Sequence, residues 1–147
     1  MTEFFLIVHI LSAAAWIGGG FLNGFLGPRM AKAGGPVTVA WIGVLIEAAR
    51  KYFTPAGVLT LLSGIGIVLV DDGHSFTEPF VITGLVVVVV ALGIAGAVLT
   101  PAATAALASA EEGDFPGAGA NGRKAARAGQ AITLLLVVAV IVMVLKV

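Results

Sequence analysis

Four apolar stretches, at about 4–27, 52–70, 79–100 and 129–146, are each long enough to cross a bilayer, and nearly all the charge lies between them. A spanning helix needs about 20 mostly apolar residues, because each advances about 1.5 Å through a hydrocarbon layer about 30 Å thick. Four such segments leave little of a 147-residue chain for anything else. The apolar share of 59% and charged share of 11% stand against about 45–50% and about 25% in soluble domains. The run Val86 to Val90 would suggest a strand in water. In lipid an open strand leaves backbone groups unpaired, so the run is read as helix. The chain is therefore expected to be an all-α membrane protein, a four-transmembrane-helix bundle in a single domain, with the lipid bilayer as its solvent.

Charge and cysteine content exclude several functions. Eight Lys or Arg balance eight Asp or Glu, which removes the basic excess that draws proteins onto nucleic acid. With no cysteine, disulfides, iron–sulfur clusters and thiolate zinc sites are excluded. The glycines sit in apolar segments without a phosphate-loop pattern, which argues against a nucleotide-binding enzyme.

The links set the orientation. Residues 28–51 carry Arg29, Lys32, Arg50 and Lys51 against Glu47, and the third link carries Arg123, Lys124 and Arg127 after Glu111, Glu112 and Asp114. The middle link, 71–78, has no Lys or Arg. Basic residues near span ends favour the cytoplasm, so the first and third links are expected inside and the N and C termini outside. Glu3 in place of a basic leader keeps the first segment as a span rather than a cleaved signal. Within the first link, Trp41, Leu45 and Ala48 or Ala49 recur at helical spacing and Glu47 can pair with Lys51. That pattern suits a helix at the inner interface or an inward extension of the second span, with Pro55 marking a bend or a start. Residues 118–122, rich in Gly and Ala, are read as a flexible inner loop.

Lipid supplies little hydrophobic drive for helix association, so small residues must carry the packing. Gly20 and Gly24 form a G-x-x-x-G pair suited to contact within the chain or to a homo-oligomer. Gly57 with Gly64, Gly93 with Ala97, and Ala131 offer further small surfaces, so the glycines read as packing devices.

One polar line runs through the membrane. His9, Ser12, Trp16, Gly19, Gly20 and Asn23 fall near one face of the first span. A buried imidazole needs a hydrogen bond or a metal, which makes His9 the leading candidate ligand for haem iron, with Ser12 as helper. A histidine hydrogen-bonded to a neighbouring helix gives the same sequence, as does one that handles protons. Trp16 suits core packing or a place beside a porphyrin. His74 lies in the middle link, where Asp71, Asp72, His74 and Glu78 offer ligands to a divalent cation or His74 offers a second metal ligand, unless the segment is a solvated turn. Arg29, Arg50, Lys51 and Arg127 are expected at one depth near the inner face, to meet porphyrin propionates, lipid phosphate or a protein partner. Most of the bilayer separates Arg29 from His9, too far for one porphyrin without a pronounced tilt.

The stretch H-I-L-S-A-A-A-W-I-G-G-G-F-L-N-G-F-L-G-P-R, His9 to Arg29, resembles the first span of small four-helix membrane proteins grouped with the copper-resistance D domain and with an uncharacterised bacterial integral-membrane family. It is also similar to the start of the bacterial membrane protoporphyrinogen oxidase family, whose pattern has a His, then a Trp followed by Gly, then Pro-Arg at the end of the span. Thr60 to Leu69 is similar to the Gly-bearing second helix of these proteins, and R-K-A-A-R to their basic approach to the fourth. The resemblance implies a multi-pass protein of the bacterial inner membrane with b-type haem held by His9, in a redox or redox-accessory role. The oxidase family's Lys at the start of its third span has no counterpart among Pro79, Phe80 and Thr83. The copper-related group implies copper handling, for which this chain offers two His and Met1, Met30 and Met143. A non-catalytic structural or accessory subunit of a larger membrane complex stands as the competing expectation.

Overall fold

The computed structural model describes residues 1–71, 73 and 75–146. Among them there is no strand. Four long helices occupy the four expected spans: Thr2–Ala33, Gly35–Val70, Pro79–Glu111 and Phe115–Leu145. The first packs on the second and fourth, and the third packs on the same two, which gives an up-and-down four-helix bundle. The chain termini and the middle link share one end, hereafter the termini end. The two tight reversals occupy the far end.

All four helices outrun the expected spans at the far end. At about 1.5 Å per residue they are about 45–55 Å long, against about 30 Å of hydrocarbon. Residues 37–50 continue the second span directly rather than forming a separate interface helix. Gly34 makes the reversal between the first two helices, with φ of 70°, a conformation open to glycine and strained for L side chains. The Thr38 hydroxyl, donating to the Met30 carbonyl at 2.8 Å, ties the turn. The Glu47–Lys51 pair is present at 2.6 Å and exposed.

Residues 118–122, expected as a loop, are helical. The Asp114 carboxylate accepts from the Gly117 N–H at 3.0 Å and caps the fourth helix, and Pro116 sits in its first turn. Ala118 is buried on the fourth helix, while Ala102, Ala106 and Ala110 are buried on the third, whose far stretch packs against the fourth. That small-residue packing outweighs the low helix propensity of the glycines.

Pro55 lies in the first turn of the α-helical segment Thr54–Val70, within a helix that is continuous from Gly35 to Val70. A π-turn over Ala49–Phe53 precedes it, and a second over Ala95–Leu99 precedes Pro101 in the third helix. The two are followed by Thr54-Pro55-Ala56 and Thr100-Pro101-Ala102. In each, the Thr N–H reaches back five residues, to Ala49 or Ala95, so the wider turn accommodates a proline without ending the helix. The first π-turn aims Tyr52 and Phe53 at the first helix. The Tyr52 hydroxyl donates to the Ala15 carbonyl at 3.1 Å, and Phe53 lies against Gly19.

Burial is inverted relative to a soluble protein. The buried set consists mainly of alanines, with Ser12, Thr60 and Ser63, whereas Phe4, Leu11, Leu22, Phe25, Leu62, Leu69, Leu134 and Ile141 face outward. Water would penalise such a surface, and hydrocarbon does not. The protein is a small, multi-pass, all-α integral membrane protein. At its centre Trp16 is 5% exposed and packs with Ala56, Val88, Ala91, Ile132 and Leu136.

Only some of the glycines are packing devices. Gly57 seats the Trp16 ring, Gly66 seats Phe5, and Gly84 faces Met143. The Gly20–Gly24 pair divides: Gly20 lies against Thr133 of the fourth helix, while Gly24 has nothing within 4 Å of where a Cβ would stand. Gly93, expected as a packing surface with Ala97, is open as well.

Candidate functional site

His9 sits about 10 Å down the first helix from the termini end. Its ring lies against the second helix, where Gly64 provides the space: a Cβ there would stand 3.1 Å from His9 Cε1 and 3.3 Å from Nδ1. Nδ1 is 2.9 Å from the Thr60 carbonyl oxygen and 3.3 Å from the Ser63 hydroxyl. A carbonyl can only accept, so Nδ1 carries a proton. The Ser63 hydroxyl donates to the Leu59 carbonyl, which leaves its oxygen free to accept from the same N–H. In the neutral ring the lone pair is therefore on Nε2, which has no hydrogen-bond partner among the described residues.

Ser12 helps through the helix contact rather than through the ring. Its hydroxyl donates to the Val8 carbonyl at 2.7 Å and its oxygen accepts from the Thr60 hydroxyl at 3.0 Å. The four side chains His9, Ser12, Thr60 and Ser63 thus form one polar contact between the first and second helices. Sequence reasoning identified the half on the first helix. It missed Thr60, Ser63 and Gly64, although Thr60 and Ser63 are three apart in an otherwise apolar span and Gly64 shares their face.

His9 also lines a crevice inside the bundle, with Ala13 and Ile17 of its own helix, Thr60 of the second, Val88 of the third and Leu136, Ala139, Val140 and Met143 of the fourth. Its volume is about 30 Å³, enough for about one water and far below the roughly 300–1,000 Å³ of typical cofactor pockets. Donor chemistry at His9 suits a metal-bound cofactor. The crevice as packed does not admit a porphyrin, which requires the helices to part beside His9. Met143, named from the sequence only among the groups available for copper handling, supplies the thioether in this crevice.

The other expected site residues lie apart from His9. Trp16 is in the central core, in contact with Gly57, and does not line the crevice. Arg29 is about 30 Å along the first helix from His9. Its guanidinium donates to the Phe25 carbonyl at 2.8 Å and stacks 3.8 Å over the Phe25 ring. Arg29 is also about 10 Å beyond the level of Arg50, Lys51 and Arg127, so the four cations do not share one depth. His74 and Asp72 lie outside the described residues. Asp71 accepts from the Gly73 N–H at 3.1 Å and Glu78 from the Ser75 N–H at 3.3 Å, both turn-forming contacts. Among the described residues no three His, Asp or Glu side chains gather as a metal site.

The geometry around Gly64 gives a direct expectation. Gly64→Ala sets a methyl group against the ring, which must give by a few tenths of an ångström and so lengthens the Nδ1–H contact to the Thr60 carbonyl, a loss of up to about 1 kcal/mol. In ¹⁵N imidazole spectra the native protein should show the Nδ1–H tautomer, and the variant a mixture. An unchanged tautomer in a folded Gly64→Ala protein would show that the ring does not rest on this carbonyl.

Comparison of the chain with protein-family profiles, with curated proteins and with solved structures gives no match.

Proposed function

We propose that the protein binds b-type haem through His9 and serves a redox or redox-accessory role in the membrane. The observation that carries this reading is the fixed Nδ1–H···O=C contact to Thr60, which leaves the Nε2 lone pair without a partner. Metal-ligating histidines ordinarily donate the other ring N–H to a carbonyl or carboxylate, which orients the ring and raises its basicity. Thr60 and Ser63 hold the imidazole in that state, and the fourth helix lines the crevice beside it with Leu136, Ala139, Val140 and Met143. Haem, when bound, supplies one-electron chemistry. The first-span resemblance to the oxidase family supports the same residue. In this reading the bundle lies in a bacterial inner membrane with its termini outside, as the basic links favour.

A second reading is favoured by the narrow crevice: a non-catalytic structural or accessory subunit, with His9 as part of an interhelical polar tie. One experiment separates the two. Reduced-minus-oxidised absorbance spectra of the detergent-purified protein, supplemented with haem, should show a b-type signal that His9→Ala abolishes while circular dichroism stays helical. A folded native protein that remains colourless after supplementation sinks the haem reading and places the structural one first.

A further inference from the structure

About 27–33 Å from the termini end of the fourth helix, Arg123, Lys124 and Arg127 line a groove of about 410 Å³ between the third and fourth helices. Its apolar wall is formed by Ile94, Val98 and Ala128. All three cations are exposed, and none is paired with an acidic side chain among the described residues. Nearby acids are otherwise engaged or more distant: Glu47 pairs with Lys51, and Asp114 caps the fourth helix about 13 Å below Arg123.

Depth gives the groove its meaning. At about 1.5 Å per residue, Arg127 stands about 27 Å, Lys124 about 31 Å and Arg123 about 33 Å from the termini end of the fourth helix. These distances match the thickness of the hydrocarbon layer, about 30 Å. Val98 stands about 28 Å from the corresponding end of the third helix, level with Arg127, and Ile94 stands about 22 Å from it, on the hydrocarbon side of the cations. The groove therefore offers positive charge at headgroup level and an apolar wall running from it into the membrane. A free anion satisfies only the first of these features, whereas an anionic amphiphile satisfies both.

We propose that this groove is a binding site for an anionic glycerophospholipid, with the phosphodiester held by Arg123, Lys124 and Arg127 and an acyl chain laid along Ile94 and Val98. The volume falls within the range of small-molecule sites, and basic pockets between membrane helices are suited to anionic headgroups. Arg50 and Lys51 of the second helix lie at a similar depth but do not line the groove, so they serve as the control for general surface attraction.

The test is native mass spectrometry of the full chain in mixed micelles of dioleoyl phosphatidylglycerol and dioleoyl phosphatidylcholine. The native protein should retain phosphatidylglycerol preferentially. Combined Arg123→Gln, Lys124→Gln and Arg127→Gln should reduce that preference on the order of a hundredfold. Ile94→Trp, which fills the groove and keeps every charge, should reduce it at least about tenfold, while Arg50→Gln with Lys51→Gln should leave it within about twofold. Circular dichroism and gel filtration establish that each variant is folded. Equal losses from the two sets of charge removals would reduce the site to a general cationic collar and overturn the proposal. Displacement of the lipid by millimolar inorganic phosphate, or by a co-purifying acidic protein, would overturn it in favour of those occupants.

Discussion

Replacing Trp16 with alanine is expected to lower the stability of the folded bundle by about 3 kcal/mol, the low end of the range for truncating a buried Trp. The low end applies because lipid is as apolar as the core: separated helices still bury the indole in hydrocarbon, so the loss is one of packing rather than transfer. Trp16 is the large side chain at the centre of the cluster formed by Ala56, Val88, Ala91, Ile132 and Leu136. Ala56 and Ala91 are too short to close the space. Reversible unfolding in mixed micelles measures the change, and Trp16→Phe should retain more than half of the native stability difference. A loss below about 0.5 kcal/mol for Trp16→Ala would mean that the four helices are not organised around this residue.

Gly57→Val attacks the same contact from the opposite side and is expected to destabilise by about 1–3 kcal/mol. A Cβ at Gly57 would stand 2.8 Å from Leu92 Cδ2 and 2.9 Å from Trp16 Cη2. Both neighbours are side chains, so the strain is relieved by moving the indole or the leucine, each of which is held by the remaining core. The two substitutions are therefore coupled. In the double variant the valine occupies part of the space vacated by the indole, and the combined loss should be smaller than the sum by at least about 1 kcal/mol. Additive losses would separate Gly57 from Trp16 and contradict the packing described.

The spans were legible because hydrocarbon tolerates few charges, and the four apolar stretches map directly onto the four helices. Their lengths were legible only in part. The helical spacing of Trp41, Leu45 and Ala48 or Ala49 allowed an inward extension of the second span beside a separate interface helix, and the second helix does continue to Gly35, since a helix has no reason to stop where the membrane does. The glycines of 118–122 suggested a loop because propensity is a local property, whereas the burial of Ala118 against a neighbouring helix is not. The Asp114-Phe115-Pro116 start signal was present in the sequence and outweighs those glycines.

The candidate site was half legible for a related reason. His9 and Ser12 stand out because a polar side chain within a span requires a partner. The identity of that partner depends on which helix lies alongside and in what register, and no single span contains that information. The Thr60 carbonyl carries no residue-type signal at all, since every residue has one. Gly64 was visible as a small residue, but its use as clearance for an imidazole emerges only once the first two helices are placed together.

The paired π-turns have a consequence for how this chain tolerates change. Each is equivalent to one residue inserted into an α-helix, and the wide turn absorbs that residue, which in a regular helix would turn everything beyond it by about 100°. The faces that the second and third helices present at the far end are thus kept in phase by these turns. A single-residue deletion within Ala49–Phe53 would close the wide turn and leave Gly35–Ala48 facing as it does, at the cost of setting the Pro55 ring against a regular turn, whereas a deletion within Thr54–Val70 would rotate one part of the span against its neighbours. For this bundle, one-residue length changes should be more disruptive in the regular stretches than in the two wide turns.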